Sequence, residues 1–328
     1  MHLSTEHTPK QDAVNLAESI STMIEQESTT YCCSDYLNSD DENDHDSRAE
    51  NKITPEDRMK IVDWCYGIVD GCEFKRETVA AAMNIVDRFM CASVPQARGA
   101  LHHRGKYQLV AVTALYMSIK LNERISLGIN DFAAMSHGSY SAKDIQDMEW
   151  SILQGLAWRV CPPTSLQVGH HILALMLSEI QERETSFKQG TGKFLHEEVA
   201  FQIESSVRDY YFTTKRPSTI AIAAIFNTIE QVEDDHDYKL LMLALLHILQ
   251  EFYFDPTSVI KEVMDKLHRI VDENSENDSD SDVPEVNSEG PEALDEPCYS
   301  SVKISHESSC YDVTYTDNCS DFYVREDD

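Results

Sequence analysis

The chain has 328 residues, 41% of them hydrophobic, and a formal charge of −31. That length allows two ordinary domains, and the apolar content is enough for real cores, so a chain disordered throughout is excluded. The acidity sits at the ends: residues 1–55 hold 12 acids and 3 bases, residues 272–328 hold 18 and 2, and residues 56–271 hold 28 and 22.

The folded middle is therefore only mildly acidic. Nucleic-acid binding is not expected, because affinity for a phosphate backbone comes from Lys and Arg displacing counterions. No apolar run approaches the roughly 20 residues of a membrane span. The start Met1-His2-Leu3-Ser4-Thr5-Glu6 has neither a basic end nor an apolar stretch, which points to an intracellular chain. The nine cysteines contain no CxxC pair, and Cys65 and Cys72 lie in an apolar periodic segment. Reduced thiols are expected rather than a zinc site.

Near the start, Ala13, Leu16, Ala17, Ile20, Met23 and Ile24 are spaced for one amphipathic helix, followed by an acidic linker over 34–53. Thr54-Pro55-Glu56-Asp57 starts the next helix: a hydroxyl cap, Pro at the first position, then acids at the positive end of the dipole. Ile61, Trp64, Cys65, Ile68 and Val69 mark its apolar stripe. Val79, Met83, Val86 and Met90 mark a second helix. Leu109, Val112, Tyr116 and Ile119 mark a third, whose Ala111, Ala114 and Ser118 suit a central helix closely approached by neighbours. A short helix fits Asn130 to Ser136, and a fifth starts at Ser141 with Asp144 three residues on. Its stripe is Ile145, Met148, Ile152 and Leu156, and Cys161-Pro162-Pro163 ends the segment. Five more helices are expected over Leu166–Glu179, His196–Phe212, Ser218–Glu230, Tyr238–Phe252 and Pro256–Val271, the last opened by Asp255-Pro256. Residues 272–328 begin with acid, Ser and Pro and almost no apolar side chains, a composition that cannot offset the entropy of ordering.

Several of these residues line up with a known family. Arg58-Met59-Lys60-Ile61-Val62-Asp63-Trp64 resembles the opening of the cyclin box. Glu77-Thr78-Val79 with Ile85-Val86-Asp87-Arg88-Phe89 is similar to its second helix. Arg104-Gly105-Lys106-Tyr107-Gln108-Leu109-Val110 and Ser118-Ile119-Lys120-Leu121-Asn122-Glu123 are similar to its third. Asp147-Met148-Glu149-Trp150, Ile152-Leu153 and Leu156-Ala157-Trp158 with Pro163-Thr164 resemble its close. One such match would mean little; five in order over about 110 residues are specific. Thr29-Thr30-Tyr31-Cys32-Cys33-Ser34-Asp35-Tyr36-Leu37 also resembles the pre-box signature of the expanded cyclins found in diatoms.

The resemblance implies an all-α fold of two tandem five-helix cyclin folds, a box over 54–163 and a degenerate copy over 164–271, between an N-terminal extension (1–53) and a disordered acidic tail (272–328). It implies a non-catalytic subunit that binds and activates a cyclin-dependent Ser/Thr kinase in cell-cycle control, needs no cofactor, and resides in nucleus and cytoplasm. Lys120 and Glu149 fall on the pair with which cyclins hold the kinase, with Leu121, Glu123, Ile152, Leu153 and Leu156 around them. The family's docking patch for Arg-x-Leu substrates and inhibitors would keep Trp64, Arg104 and Gln108, with Tyr107 in place of Leu. Asp57, Lys60 and Gly67 also depart from its pattern, which weakens the expectation of that docking.

Plainer readings stand beside these. Lys120 and Glu149 also fit solvated helix faces, and Arg58, Asp63, Asp87 and Arg88 are most simply structural ion pairs and caps. The pairs His102-His103 and His170-His171 fit surface or packing roles, since adjacent helical residues point about 100° apart. Ser275, Ser279 and Ser281 are either targets of an acid-directed kinase or part of a solubilising tail. A cyclin-fold adaptor, transcription or scaffold protein that activates no kinase is the alternative function. No nucleophile–base–acid cluster or glycine-rich phosphate loop supports an enzyme.

Overall fold

A computed structural model describes residues 9–38, 52–125, 127–136, 138–183, 187–252, 254, 257–279, 303–304 and 313–314. These residues are helical apart from turns, extended connectors and one two-residue strand pair, β1 (Lys303–Ile304) with β2 (Val313–Thr314). The chain divides into two compact units, a first built on Asp35–Val160 and a second on Met1–Ser34 with Cys161–Val271. The opening helix, α1 (Pro9–Thr29), is part of the second.

The first unit runs α2 (Pro55–Gly71), α3 (Glu77–Met90), α4 (Pro95–Leu101), α5 (Arg104–Asn122), α6 (Ile129–Met135) and α7 (Ala142–Gly155). Local chemistry sets the starts. The Thr54 hydroxyl accepts from the Asp57 N–H while the Asp57 carboxylate accepts from the Thr54 N–H, a reciprocal capping box with Pro55 next to it. Ser141 and Asp144 form the same device at α7, and the Ser141 bonds hold the Asp144 carboxyl below its usual range. The α4 helix was not anticipated; it is seven residues long, has no side-chain cap and contributes only Ala97 and Ala100 to the interior, too little for a readable stripe. α5 is buried over nearly all its length, from Tyr107 to Ile119, and packs against α3 and α7. Its Ala111, Ala114 and Ser118 allow that close approach on several sides.

The second unit adds α8 (Ser165–Arg183), α9 (Gln189–Ser206), α10 (Pro217–Ile229), α11 (Asp235–Phe252) and α12 (Thr257–Ser279). α10 is its counterpart of α5, with Ala221, Ala223 and Ala224 buried where α8 and α9 close on it. The expected helix over 196–212 is instead α9 and a separate 3₁₀ turn at Tyr210–Thr214, because the Asp209 side chain accepts the Tyr211 N–H and starts a new turn. α12 continues eight residues beyond the expected end at Val271, through Glu-rich sequence with no proline before Pro284. Asp255-Pro256 and the remaining acidic tail, apart from β1 and β2, lie outside the described residues.

α1 lies against α8 and puts Ile20 and Met23 into the second unit's core. Its last turn places the Glu27 carboxylate at the start of α10, where it accepts both the N–H (2.8 Å) and the hydroxyl of Ser218. A carboxylate there satisfies an otherwise open backbone donor at the positive end of a helix. Replacing Glu27 with Ala should therefore destabilise the second unit by about 1–3 kcal/mol, read as a lower urea midpoint; an unchanged midpoint would show that this cap is idle.

Candidate functional site

A buried ionic tie fixes the frame of the first unit. Arg58 from α2 donates Nε to Asp87 Oδ1 (2.9 Å) and Nη2 to Oδ2 (2.8 Å), a two-bond fork onto α3. The Tyr36 hydroxyl donates to the same Asp87 Oδ1 at 2.9 Å, which brings the segment before α2 onto the pair. Burial alone disfavours the guanidinium charge; the adjacent Asp87 carboxylate more than offsets it, so Arg58 is held charged with its pKa moved up. Burial, and then the Asp87 charge, push the Tyr36 phenol well above its ordinary value. Burial likewise raises the Cys65 thiol. Arg88 Nη1 donates to the Arg159 carbonyl at 2.8 Å and ties α3 to the chain after α7. Asp63 lies half-buried on α2.

At the other end of α5, Lys120 Nζ donates to Glu149 Oε1 of α7 at 2.6 Å and stands over the Tyr116 ring, 4.7 Å from its centroid. The sequence reading paired these two residues, and the fold brings them together from 29 positions apart. Leu121, next to Lys120, is exposed, and Leu153 is half-buried. Two of the expected contacts face inward: Ile152 and Leu156 continue the stripe of α7 and are buried in the core. Glu123 is also engaged within the unit. Its Oε1 accepts the Lys75 N–H (3.0 Å) and the Thr78 hydroxyl (2.5 Å) at the start of α3, a helix without a side-chain cap of its own.

Two exposed tryptophans, one on α7 and one just after it, were not singled out by the sequence. Trp150 follows Glu149 and is 54% exposed; Trp158 is 61% exposed; their rings meet edge-on at 5.9 Å. The end of α7 explains the presentation of Trp158. Its N–H reaches back to the Leu153 carbonyl (2.8 Å) and the Ala157 N–H to Gln154 (3.2 Å), the pattern of a helix stop that ordinarily uses glycine. Here Ala157 and Trp158 take φ of 50° and 64° instead. Left-handed non-glycine residues cost on the order of 1–3 kcal/mol each, so the exposed indole is held at a backbone cost. A sequence signal existed: Gly155-Leu156-Ala157-Trp158 ends a helix with its glycine too early to serve as the stop.

The proposed docking patch is only partly a surface. Tyr107 and Gln108 are buried, which corrects their assignment: α5 turns both inward, and burial pushes the Tyr107 phenol up. Gln108 Oε1 accepts from Tyr140 Oη at 3.1 Å. Trp64 is half-buried, and Arg104 is exposed with Nε 3.0 Å from Asp57 Oδ1. His103 caps α5 by accepting the Lys106 N–H at 3.4 Å, and His170 stacks edge-on with His196.

The first unit thus closes its helices around a small-residue central helix and sets the part-exposed Lys120–Glu149 pair between α5 and α7. Residues 18–161 match the family model described as cyclin, N-terminal domain. A G2/mitotic-specific cyclin-B of Arbacia punctulata is 28% identical over 179 residues, 55% of this chain and 39% of that one. The G2/mitotic-specific cyclin-3 of Saccharomyces cerevisiae is 27% identical over 169 residues, 52% of this chain and 35% of that one. The chain thus spans about two fifths of the length of these relatives. A viral cyclin from herpesvirus saimiri shares the fold, with a TM-score of 0.51 at 13% identity over 79% of this chain and 97% of that one. Residues 18–161 thus carry the N-terminal cyclin domain that this family model describes.

The tie at the frame gives a graded expectation. Asp87→Ala strands a buried guanidinium and should cost about 3–5 kcal/mol, whereas Tyr36→Phe removes one hydrogen bond and should cost about 1 kcal/mol or somewhat more. Equilibrium denaturation of the two variants checks the order; equal losses would contradict this account of the pair.

Proposed function

We propose that this chain is a regulatory subunit that binds a cyclin-dependent Ser/Thr kinase and holds it active in cell-cycle control, in nucleus and cytoplasm. The observation that carries the reading is the Lys120–Glu149 pair, set between α5 and α7 beside exposed Leu121 and the edge-packed Trp150 and Trp158. Its relatives' names, G2/mitotic-specific cyclins, support the same class of role.

The chemistry is recognition alone. Lys120 offers ammonium donors and Glu149 carboxylate acceptors, so together they suit a peptide backbone presenting both a carbonyl and an N–H. The indoles supply apolar area at low entropic cost beside them, where exclusion of water strengthens the charge-assisted bonds. In the family resemblance this backbone lies near the kinase αC helix. Holding that helix inward lets its Glu pair with the strand Lys that positions the ATP phosphates. The cyclin shifts the kinase toward that arrangement by binding it better than the inactive one. Glu123 serves indirectly, by fixing the last turn of α5 on which Lys120 stands.

Pull-down of the tagged chain from cycling cells, followed by a kinase assay, tests the reading: wild type is expected to recover an active Ser/Thr kinase. Lys120→Ala with Glu149→Ala should recover little, and recovery equal to wild type would remove the pair from the interface. Trp158→Ala should weaken kinase binding by about 2 kcal/mol or more, roughly 30-fold, with little change in unfolding midpoint. If wild type recovers no kinase, the proposal itself fails.

A further inference from the structure

Most of this chain's surface charge is negative, yet one corner of the first unit is not. Between Arg98 and Lys106 the sequence Arg-Gly-Ala-Leu-His-His-Arg-Gly-Lys holds three cations, two histidines and no acid, within a chain of formal charge −31. The fold gathers further cations around it. The Ile53 N–H bonds the Leu101 carbonyl (3.0 Å), which brings Lys52 to the end of α4. Arg104 joins the start of α5 to Asp57 in the first turn of α2, one turn before Lys60. The Lys106 side chain lies over Gly99, its Nζ 3.9 Å from where a Cβ there would stand, beside Arg98.

Among the described residues no carboxylate pairs with Lys52, Lys60, Arg98 or Lys106, whereas Arg58, Arg76, Lys120 and Lys143 each meet one. Lys60, Arg98, Arg104 and Lys106 are exposed. Among the described residues the nearby acids on α2 are Glu56 and Asp57 in its first turn and Asp63 further along it. Asp57 is already engaged on both oxygens, by Arg104 and by Thr54. α2 and α5 also both begin here, and the positive ends of their dipoles face this corner, although both starts are capped.

Beside the cations lies an apolar shelf. Asp57, Lys60, Trp64 and Gly67 follow one stripe of α2, at steps of three, four and three. Trp64 is half-buried, and a Cβ added at Gly67, one turn on, would meet nothing within 4 Å, so that stretch of the helix is open. Cations that meet no carboxylate among the described residues, next to a half-exposed indole, make a surface complementary to acid side chains flanking an apolar one. A long nucleic acid fits less well, since it would have to continue onto the surrounding acidic surface.

We propose that the α2–α4–α5 corner, with Lys60, Arg98, Lys106 and Trp64 at its centre, docks an acidic segment of a partner protein that carries an apolar side chain. This occupant is opposite in charge to the Arg-x-Leu peptides that the family resemblance suggested.

Fluorescence anisotropy on the full chain tests it, with a labelled glutamate-rich peptide containing one phenylalanine. Binding should weaken at least about tenfold in Lys60→Glu with Lys106→Glu, several-fold in Trp64→Ala, and steadily with added salt. Lys143→Glu with Lys239→Glu, which reverses charge elsewhere, should leave it unchanged. Should the reversal lower the unfolding midpoint, Lys60→Gln with Lys106→Gln is read in its place. Equal binding of the glutamine version of the peptide, of an Arg-x-Leu peptide, or of single-stranded DNA of the same charge would overturn the proposal. The reversed protein is expected to recover kinase as wild type does, so failure here is distinguishable from failure of the kinase reading.

Discussion

The first unit depends on a carboxylate that nothing in its own helix can satisfy. Asp87 sits in the interior and receives two bonds from Arg58 and one from Tyr36, residues 29 and 51 positions away. A buried ion pair of this kind adds little net stability, because desolvation of both charges offsets their attraction. Its consequence is arrangement: a single placement of α2, α3 and the pre-box segment completes all three bonds. α3 so fixed packs against α5, and α5 against α7, which are the helices that carry Lys120 and Glu149. The pair at the surface therefore depends on the pair in the core.

The two surfaces of this unit differ in how they are made. Beside Lys120 and Glu149 the fold bears backbone strain, at Ala157 and Trp158, and thereby presents an indole that a regular helix end would have turned elsewhere. At the α2–α4–α5 corner there is no such strain. That surface gathers Lys60, Arg98 and Lys106, which meet no carboxylate among the described residues, where three helix ends meet, set by composition and by two tying contacts, Ile53 to Leu101 and Arg104 to Asp57.

The second unit follows the same plan with different residues. Its central helix, α10, is rich in alanine as α5 is, and both are enclosed because small side chains let neighbouring backbones come close. It differs in taking a helix from the far end of the chain. α1 supplies Ile20 and Met23 to its core and Glu27 to the start of α10, so residues that precede the box complete the fold that follows it.

Much of this was legible beforehand, because the signals were local. Thr54 with Asp57 and Ser141 with Asp144 marked helix starts; apolar residues three and four apart marked the stripes; and box motifs in register identified Lys120 and Glu149 as partners. Burial was not local. Ile152 and Leu156 share a helix with Glu149, and Tyr107 and Gln108 share one with Lys120, yet they face the core because of how α3, α5 and α7 pack. Glu123 became a tie to α3, and Trp158 an exposed side chain, through contacts and a chain reversal that no spacing rule encodes. The sequence by itself determined most of the helices, the caps at Thr54 and Ser141, the resemblance to cyclins and the Lys120–Glu149 pair, since each rests on residue type at short range or on motif order. Only the tertiary structure decided which of those residues remain at the surface for a partner, because exposure is a property of the assembled neighbours.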